Sequence, residues 1–196
     1  MVFSIDVKTF SDCLKIAFNN AWTKLISEHD INTFRHVNES VFRYFIVREL
    51  ISLDSKFDIE DEWHRIDLLL KSPSSQAAVE LKFYDSRPLY TIDGLTKLKG
   101  GAGSKNFSEF LNSLRIINSE IDNFNWYREE GANINERFFI LIGTKRISAG
   151  RNGDFKRLYF PVETIDISLD IKLEKISEHF HSYNDLEVFG WLCRIY

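Results

Sequence analysis

Apolar residues recur at helical spacing in three segments of the chain. In each segment they fall three or four positions apart, which predicts an amphipathic helix. The first helix covers residues 7–28, the second follows Asn38, and the third follows residues 97–105. Asn38 is a good N-cap, and Glu39 in the first turn suits the helix dipole. The apolar positions are Phe10, Leu14, Ala17, Ala21 and Leu25; Val41, Phe42, Phe45, Ile46 and Leu50; and Phe107, Phe110, Leu111, Leu114, Ile117 and Ile121.

Shorter apolar runs predict the strands. Residues 63–70 and 77–83 are two such runs around a polar segment that contains Pro73, an arrangement that predicts a β-hairpin. Residues 137–143 are continuously apolar after Arg137, which is typical of a central strand buried on both faces. Strict alternation from Ile165 to Leu173 predicts a half-buried strand, and residues 186–196 predict another.

The order of these elements predicts one α/β domain over residues 1–196, with a mixed central β-sheet flanked by helices. Its core covers roughly residues 38–145, and residues 160–196 form a C-terminal β extension. The composition agrees, because 44% hydrophobic residues, 17 Phe and only 3 Pro are typical of a compact folded chain.

Composition also excludes several classes of protein. No apolar run approaches the length that crosses a bilayer, and the N-terminal residues lack the pattern of a signal peptide. Cys13 and Cys193 are too few for a disulfide framework or a zinc knuckle. We therefore expect a cytoplasmic protein. The net charge of −4 does not favour nucleic-acid binding, but the local distribution of charge matters more than its sum.

Two acids and a lysine stand inside the apolar runs of the hairpin. Glu80 and Lys82 are two positions apart, so they project from one face of their strand. Asp67 is the acid in the apolar run of the preceding strand, and the hairpin can place it beside Glu80. Two adjacent carboxylates repel each other unless a cation or a proton intervenes. Mg²⁺ suits such a place, because it takes oxygen ligands and needs few protein carboxylates when phosphate supplies the rest.

This arrangement resembles the PD-(D/E)XK superfamily of restriction-endonuclease-like nucleases. The matching residues are Arg65-Ile66-Asp67 and Val79-Glu80-Leu81-Lys82, an acid in one strand followed across a hairpin by acid-x-Lys. Ile66 stands in place of the proline of the family name. The family often carries a further acid on the helix before the hairpin, where Glu39 lies. The resemblance covers roughly residues 38–145 and implies a restriction-endonuclease-like core.

The resemblance implies a Mg²⁺-dependent endonuclease that hydrolyses DNA phosphodiester bonds. Asp67 and Glu80 would bind the metal, Lys82 would orient the attacking water, and Glu39 would assist. Mn²⁺ is expected to substitute for Mg²⁺. The family favours double-stranded DNA, and the size of the chain suits a type II restriction enzyme. Such an enzyme would act as a homodimer on a symmetric site.

Acid-x-Lys alone is a weak signal, because the chain contains it elsewhere, for example at Asp170-Ile171-Lys172. In the alternative interpretation Glu80 and Lys82 form a partly exposed ion pair, and Asp67 lies in a turn. Two other functions also fit the same residues. One is an RNA-cleaving or structure-specific nuclease, and the other is a non-catalytic member of the fold that binds nucleic acid or a partner protein.

Two basic segments could contact phosphates. Lys97, Lys99 and Lys105 surround glycines, and residues 145–157 contain five cations and one acid: Lys145, Arg146, Arg151, Lys156, Arg157 and Asp154. Either segment could equally be a solvated loop.

The histidines do not have the spacing of a zinc site. His64 is offset by an odd number of positions from Asp67, so a packing role is expected for it. Trp191 is expected in the core or at a subunit interface.

Overall fold

Three α-helices and eight strands make up the described part of the chain. The structure is a computed structural model that describes residues 9–29, 34, 37–53, 57–63, 66–84, 87–90, 96–99, 104–120, 133–146, 171–183 and 186–196. The helices are α1 (Phe10–Glu28), α2 (Glu39–Ser52) and α3 (Ser104–Arg115), and a π-helical turn continues α3 over Ile116–Glu120. The strands are β1 (Asp58–Trp63), β2 (Ile66–Lys71), β3 (Gln76–Tyr84), β4 (Arg87–Tyr90), β5 (Thr96–Lys99), β6 (Ile134–Arg146), β7 (Leu173–Tyr183) and β8 (Leu186–Ile195).

Local sequence signals fix where the first two helices begin. Thr9 caps α1 in a capping box with Asp12, whose backbone N–H donates to the threonine hydroxyl over 3.1 Å. Asn38 caps α2 by accepting a hydrogen bond from the backbone N–H of Val41 over 3.0 Å. Both predicted helices are confirmed, with α1 beginning at Phe10.

Six of the strands form one mixed sheet in the order β1-β2-β3-β6-β8-β7. β3 and β6 pair in parallel, and each of the other neighbouring pairs is antiparallel. β4 and β5 form a separate two-stranded hairpin. The mixed α/β class is therefore confirmed. β7 and β8 extend the main sheet instead of forming a layer of their own.

Helices cover the two faces of the sheet. α1 and α2 bury one face, which contributes Leu68, Val79, Ile140 and Leu192 to their core. α3 covers the other face, which contributes Leu69, Ala78, Phe139, Leu141 and Trp191. α1 approaches β8 closely at Gly190, where a Cβ atom would lie 2.7 Å from the Trp22 ring. Among the described residues no helix has the length and apolar character needed to cross a membrane.

The structure refines several predicted strands. The run 63–70 is divided, because Trp63 ends β1 and Ile66 begins β2. The predicted hairpin is formed by β2 and β3, and the predicted central strand is confirmed, since residues 138–142 of β6 are all buried. The alternating segment from Ile165 onward lies mostly outside the described residues.

Candidate active site

β2 and β3 stop pairing partway along β3, and the candidate residues lie where they part. The paired residues run from Lys71–Gln76 to Leu68–Val79. β3 continues to Tyr84 and pairs with β6 along its other edge. One backbone N–H group of this continuation donates to an acid, from Leu81 to Asp67 Oδ2 over 2.7 Å. The Asp67 carboxylate thus takes a hydrogen bond that a neighbouring strand would otherwise supply.

Glu80 and Lys82 project from one face of β3, as their spacing predicts. Lys82 Nζ lies 2.6 Å from Glu80 Oε1 and 4.0 Å from Glu39 Oε2. The ammonium also donates to the carbonyl of Leu81 over 2.9 Å. The structure therefore brings Glu39, Asp67, Glu80 and Lys82 into one cluster. The alternative interpretation is half correct, because Glu80 and Lys82 do form an ion pair, but Asp67 is the second residue of β2 and not part of a turn.

Burial shifts the proton affinity of these acids. Glu80 is 7% exposed, and this burial, with the Asp67 charge added, raises its pKa from 4.5 to about 7 although Lys82 opposes the shift. The pKa of Glu39 is also raised, first by burial and then by Asp67, against the attraction of Lys82. Burial alone would lower the pKa of Lys82, but the charges of Glu80, Glu39 and Asp67 together with the Glu80 hydrogen bond outweigh it, and the pKa is raised. Burial thus acts against the charged forms of Glu80 and Glu39, whereas their attraction to Lys82 acts in favour of them.

Arg43 of α2 belongs to the same cluster and was not anticipated from the sequence. Its side chain is 10% exposed and forms ion pairs with Asp67, Asp61 and Glu62. The distances are 2.7 Å from Nη1 to Asp67 Oδ1 and 2.9 Å from Nε to Asp61 Oδ1. Arg43 lies beside Phe42 within the buried stripe of α2. A basic residue at such an inward position is the sequence signal that could have identified it.

Tyr84 is a second functional candidate that sequence reasoning missed. It follows Glu80 and Lys82 on the same face of β3 and is 6% exposed. Its buried hydroxyl has no hydrogen-bond partner in the part of the chain that the structure describes. Burial raises its pKa, and the nearby charges of Glu109, Glu39 and Glu80 raise it further. A buried hydroxyl without a partner is costly and marks a position that packing alone does not explain.

The remaining predicted residues lie apart from this cluster or outside the described side chains. Lys97 and Lys99 belong to β5, and Lys105 lies in the first turn of α3, but the structure describes only their backbone. The same holds for Lys145 and Arg146 at the end of β6. Arg151, Lys156, Arg157 and His64 lie outside the described residues. Contact of these cations with DNA stays a prediction.

Two aromatic residues elsewhere in the sheet have structural contacts. His179 of β7 stacks on Trp22 and bonds Asn19 Oδ1 over 2.8 Å, so α1 and β7 hold it in a structural contact. Trp191 is 5% exposed within the α3-side core, which confirms its predicted place in the core.

The donor atoms of the cluster suit a hard divalent cation. Asp67, Glu80 and Glu39 offer carboxylate oxygens, and five acids surround the two cations Arg43 and Lys82, which leaves an excess of negative charge. Among the described residues no three or more His, Cys, Asp or Glu side chains gather closely enough to hold an ion by themselves. A cation at this place would take most of its ligands from water or substrate, which Mg²⁺ does more readily than the Zn²⁺ of a closed site.

No protein-family model, no curated protein and no solved structure matches this chain.

Proposed function

We propose that this protein is a Mg²⁺-dependent endonuclease that hydrolyses DNA phosphodiester bonds, with a core of the restriction-endonuclease-like type. The observation that carries the proposal is the meeting of Asp67, Glu80 and Lys82 where β2 and β3 stop pairing. An acid from one strand and an acid-x-Lys from its hairpin partner are the elements of that type of nuclease. Their burial supports the proposal, since buried acids need compensating charge.

Each residue of the cluster has a distinct role in this proposal. Asp67 and Glu80 hold the cation from neighbouring strands. Bound Mg²⁺ supplies charge that polarises the phosphodiester and acidifies water. Lys82 orients the attacking water and offsets negative charge that develops on the phosphate. Glu39 adds an acid 4.0 Å from the Lys82 ammonium and limits the positions open to it.

The proposed substrate is double-stranded DNA, cut by a homodimer in the manner of a type II restriction enzyme. Cutting both strands of a symmetric site needs two active sites related by a twofold axis, which a homodimer supplies. The described residues contain one cluster of this kind per chain, which supports the same proposal.

The decisive experiment is a cleavage assay beside a thermal melt. The proteins are wild type, Asp67→Ala, Glu80→Ala, Lys82→Ala and the control Asp170→Ala, which removes the acid of another acid-x-Lys. Duplex DNA, single-stranded DNA and RNA are each tested with Mg²⁺, with Mn²⁺ and with EDTA. We expect all three site variants to stay folded and lose cleavage, and only the two acid variants to lose Mn²⁺ affinity as well. Asp170→Ala should cleave like wild type.

Three results would contradict the proposal. Cleavage in EDTA would exclude the metal-dependent mechanism. If the activity of the site variants fell only in proportion to the amount of folded protein, Glu80 and Lys82 would form a purely structural ion pair. An Asp170→Ala variant that is folded but as inactive as Glu80→Ala would place the site at the other acid-x-Lys. RNA cleavage without DNA cleavage would retain the chemistry and change the substrate.

A non-catalytic protein of the same fold is the second candidate. The observation that favours it is that both oxygens of Asp67 already accept hydrogen bonds and that Glu80 is paired with Lys82. In that case wild type would bind nucleic acid without cutting it in any metal, and Glu80→Ala would bind equally well.

A further inference from the structure

Arg43 fixes the orientation of Asp67 together with the backbone of β3. Its Nη1 donates to Asp67 Oδ1 over 2.7 Å, and the Leu81 N–H donates to Asp67 Oδ2 over 2.7 Å. The two donors belong to α2 and β3, so the carboxylate is held at both oxygens by two separate elements. A carboxylate has about four acceptor positions, and two therefore stay open for another ligand.

The other side of the Arg43 guanidinium is held by two consecutive residues of β1. Its Nε lies 2.9 Å from Asp61 Oδ1, and its Nη2 donates to Glu62. Consecutive side chains of a regular strand point to opposite faces. Glu62 has a φ of 53°, a left-handed conformation that costs a non-glycine residue about 1 kcal/mol or more. This local turn of the backbone allows Asp61 and Glu62 to reach one guanidinium.

Strain of this kind persists where the surrounding contacts determine the backbone. Here those contacts are the ion pairs to Arg43. The side chains of Asp61 and Glu62 are 57% and 70% exposed, whereas that of Asp67 is 10% exposed. β1 therefore anchors the guanidinium from the solvent side and leaves Nη1 directed at the buried acid. A ligand that binds the Asp67 carboxylate would therefore meet it in a fixed orientation.

A second buried ion pair shows what a purely structural contact looks like in this protein. Lys24 of α1 pairs with Glu49 of α2, and the Glu49 side chain is 5% exposed. Neither residue contacts the cluster around Lys82 in the described structure. Lys24 and Glu49 join two helices, whereas Arg43 joins a helix to an acid of the candidate site.

We propose that Arg43 is a positioning residue, which holds Asp67 in the orientation in which Asp67 and Glu80 bind a divalent cation. This inference rests on the proposed function. Groups that orient a metal ligand through hydrogen bonds change metal affinity by about 10- to 100-fold when they are removed. In this role Arg43 would act on the metal through Asp67, to which its Nη1 donates.

The test measures Mn²⁺ affinity by calorimetry and thermal stability by melting, without nucleic acid. Arg43→Lys keeps the charge but loses the planar guanidinium that donates to three acids at once. We expect it to weaken Mn²⁺ binding by about tenfold. The control Lys24→Met breaks the structural pair, so it should lower the melting temperature and leave the Mn²⁺ dissociation constant unchanged.

A second pair of variants keeps the test valid if Arg43→Lys does not fold. Glu62→Gln removes an anchor of the guanidinium, and Glu60→Gln removes an acid of the same strand that pairs with Lys71 instead. Each variant removes one negative charge from β1, so the change in net charge is the same for both. Glu62→Gln should weaken Mn²⁺ binding severalfold, and Glu60→Gln should not. Equal dissociation constants for these two variants, or a wild-type value for folded Arg43→Lys, would overturn the inference.

Failure of the inference is distinguishable from failure of the proposed function. A wild-type protein that neither binds Mn²⁺ nor cleaves nucleic acid would refute the metal-dependent nuclease and the role of Arg43 with it. A wild-type protein that does both, with an Arg43→Lys variant of unchanged Mn²⁺ affinity, would refute the role of Arg43 alone.

Discussion

Glu80 occupies a buried position that favours the protonated form of its carboxyl group. Its pKa is raised from 4.5 to about 7 by burial and by the neighbouring Asp67 charge. The folded protein therefore binds this proton more tightly than the unfolded chain does. The resulting contribution to the free energy of unfolding is fully present below about pH 4.5 and is lost as the pH rises through 7.

We predict that this loss is visible when wild type is compared with Glu80→Gln. The amide does not titrate, so the variant lacks the decline, and other ionisable groups cancel in the difference. Between about pH 4.5 and 7, wild type should lose on the order of 3 kcal/mol relative to the variant, since a tenfold change in proton affinity corresponds to about 1.4 kcal/mol. Urea unfolding in EDTA at several pH values measures it. Parallel stability curves would show that Glu80 titrates normally.

Tyr84 gives a second prediction at the scale of one residue. Its buried hydroxyl has no hydrogen-bond partner in the described part of the chain, so Tyr84→Phe removes an unsatisfied group. We expect a gain of about 1 kcal/mol in the free energy of unfolding, which corresponds to a rise of about 2–4 °C in melting temperature for a chain of this size. Thermal melts in EDTA measure the change.

The matched control is Tyr183→Phe. That hydroxyl donates to the backbone carbonyl of His29 over 2.8 Å, so its removal should lower the melting temperature. If both variants lose stability, the Tyr84 hydroxyl is satisfied in solution. A stabilised Tyr84→Phe that cleaves poorly would indicate that the hydroxyl is retained for function at a cost in stability.

At the scale of elements, burial decides which strands the sequence reveals. β3, β6 and β8 lie inside the sheet, and their apolar runs identify them directly. β1 and β7 are the outer strands, and their burial patterns contain few fully buried positions. Half of their side chains need not be apolar, so β1 and the span of β7 could not be predicted from periodicity. The β4–β5 hairpin is short and was missed for lack of any clear pattern.

Some residues of the candidate site could be identified from the sequence and others could not. Asp67, Glu80 and Lys82 were identifiable because charged residues stand out within apolar strands, and Glu39 because of its place after the N-cap. The inward position of Arg43 within the stripe of α2 was a local signal, but its acid partners Asp61, Glu62 and Asp67 lie on β1 and β2 and could not be predicted from a local pattern. The parting of β2 from β3 was equally hidden, because the apolar run of β3 continues beyond the last residue that pairs with β2.

At the scale of the whole molecule, a chain with a net charge of −4 can bind nucleic acid only if its cations are gathered near the site. Five of the described acids lie around Arg43 and Lys82. The parallel pairing of β3 and β6 sets Lys82 opposite Leu141 and Tyr84 opposite Gly143. β6 ends at Arg146, so the cation-rich segment 145–157 begins at the end of the sheet that carries the candidate site.

The segment 145–157 is therefore expected to contact phosphates near the site. Changing Lys145, Arg146 and Arg151 to Gln should weaken DNA binding and flatten its salt dependence, because each lost phosphate contact lowers the slope of log K against log salt by about 0.9. Binding is measured in EDTA at several salt concentrations. The matched control changes Lys15, Lys172 and Lys175 to Gln, which alters the net charge equally.

Lys15 lies on α1, Lys172 lies just before β7, and Lys175 lies on β7. β7 is an outer strand, three strands away from β3 in the sheet. If long-range charge alone governed affinity, both triple variants would weaken binding to the same extent. If phosphates lie against the end of β6, only the first variant should lose slope, by up to about 2.7 for three contacts. If wild type and the first variant had the same slope of log K against log salt, segment 145–157 would not contact phosphates. The DNA would then have to approach the cluster by another route.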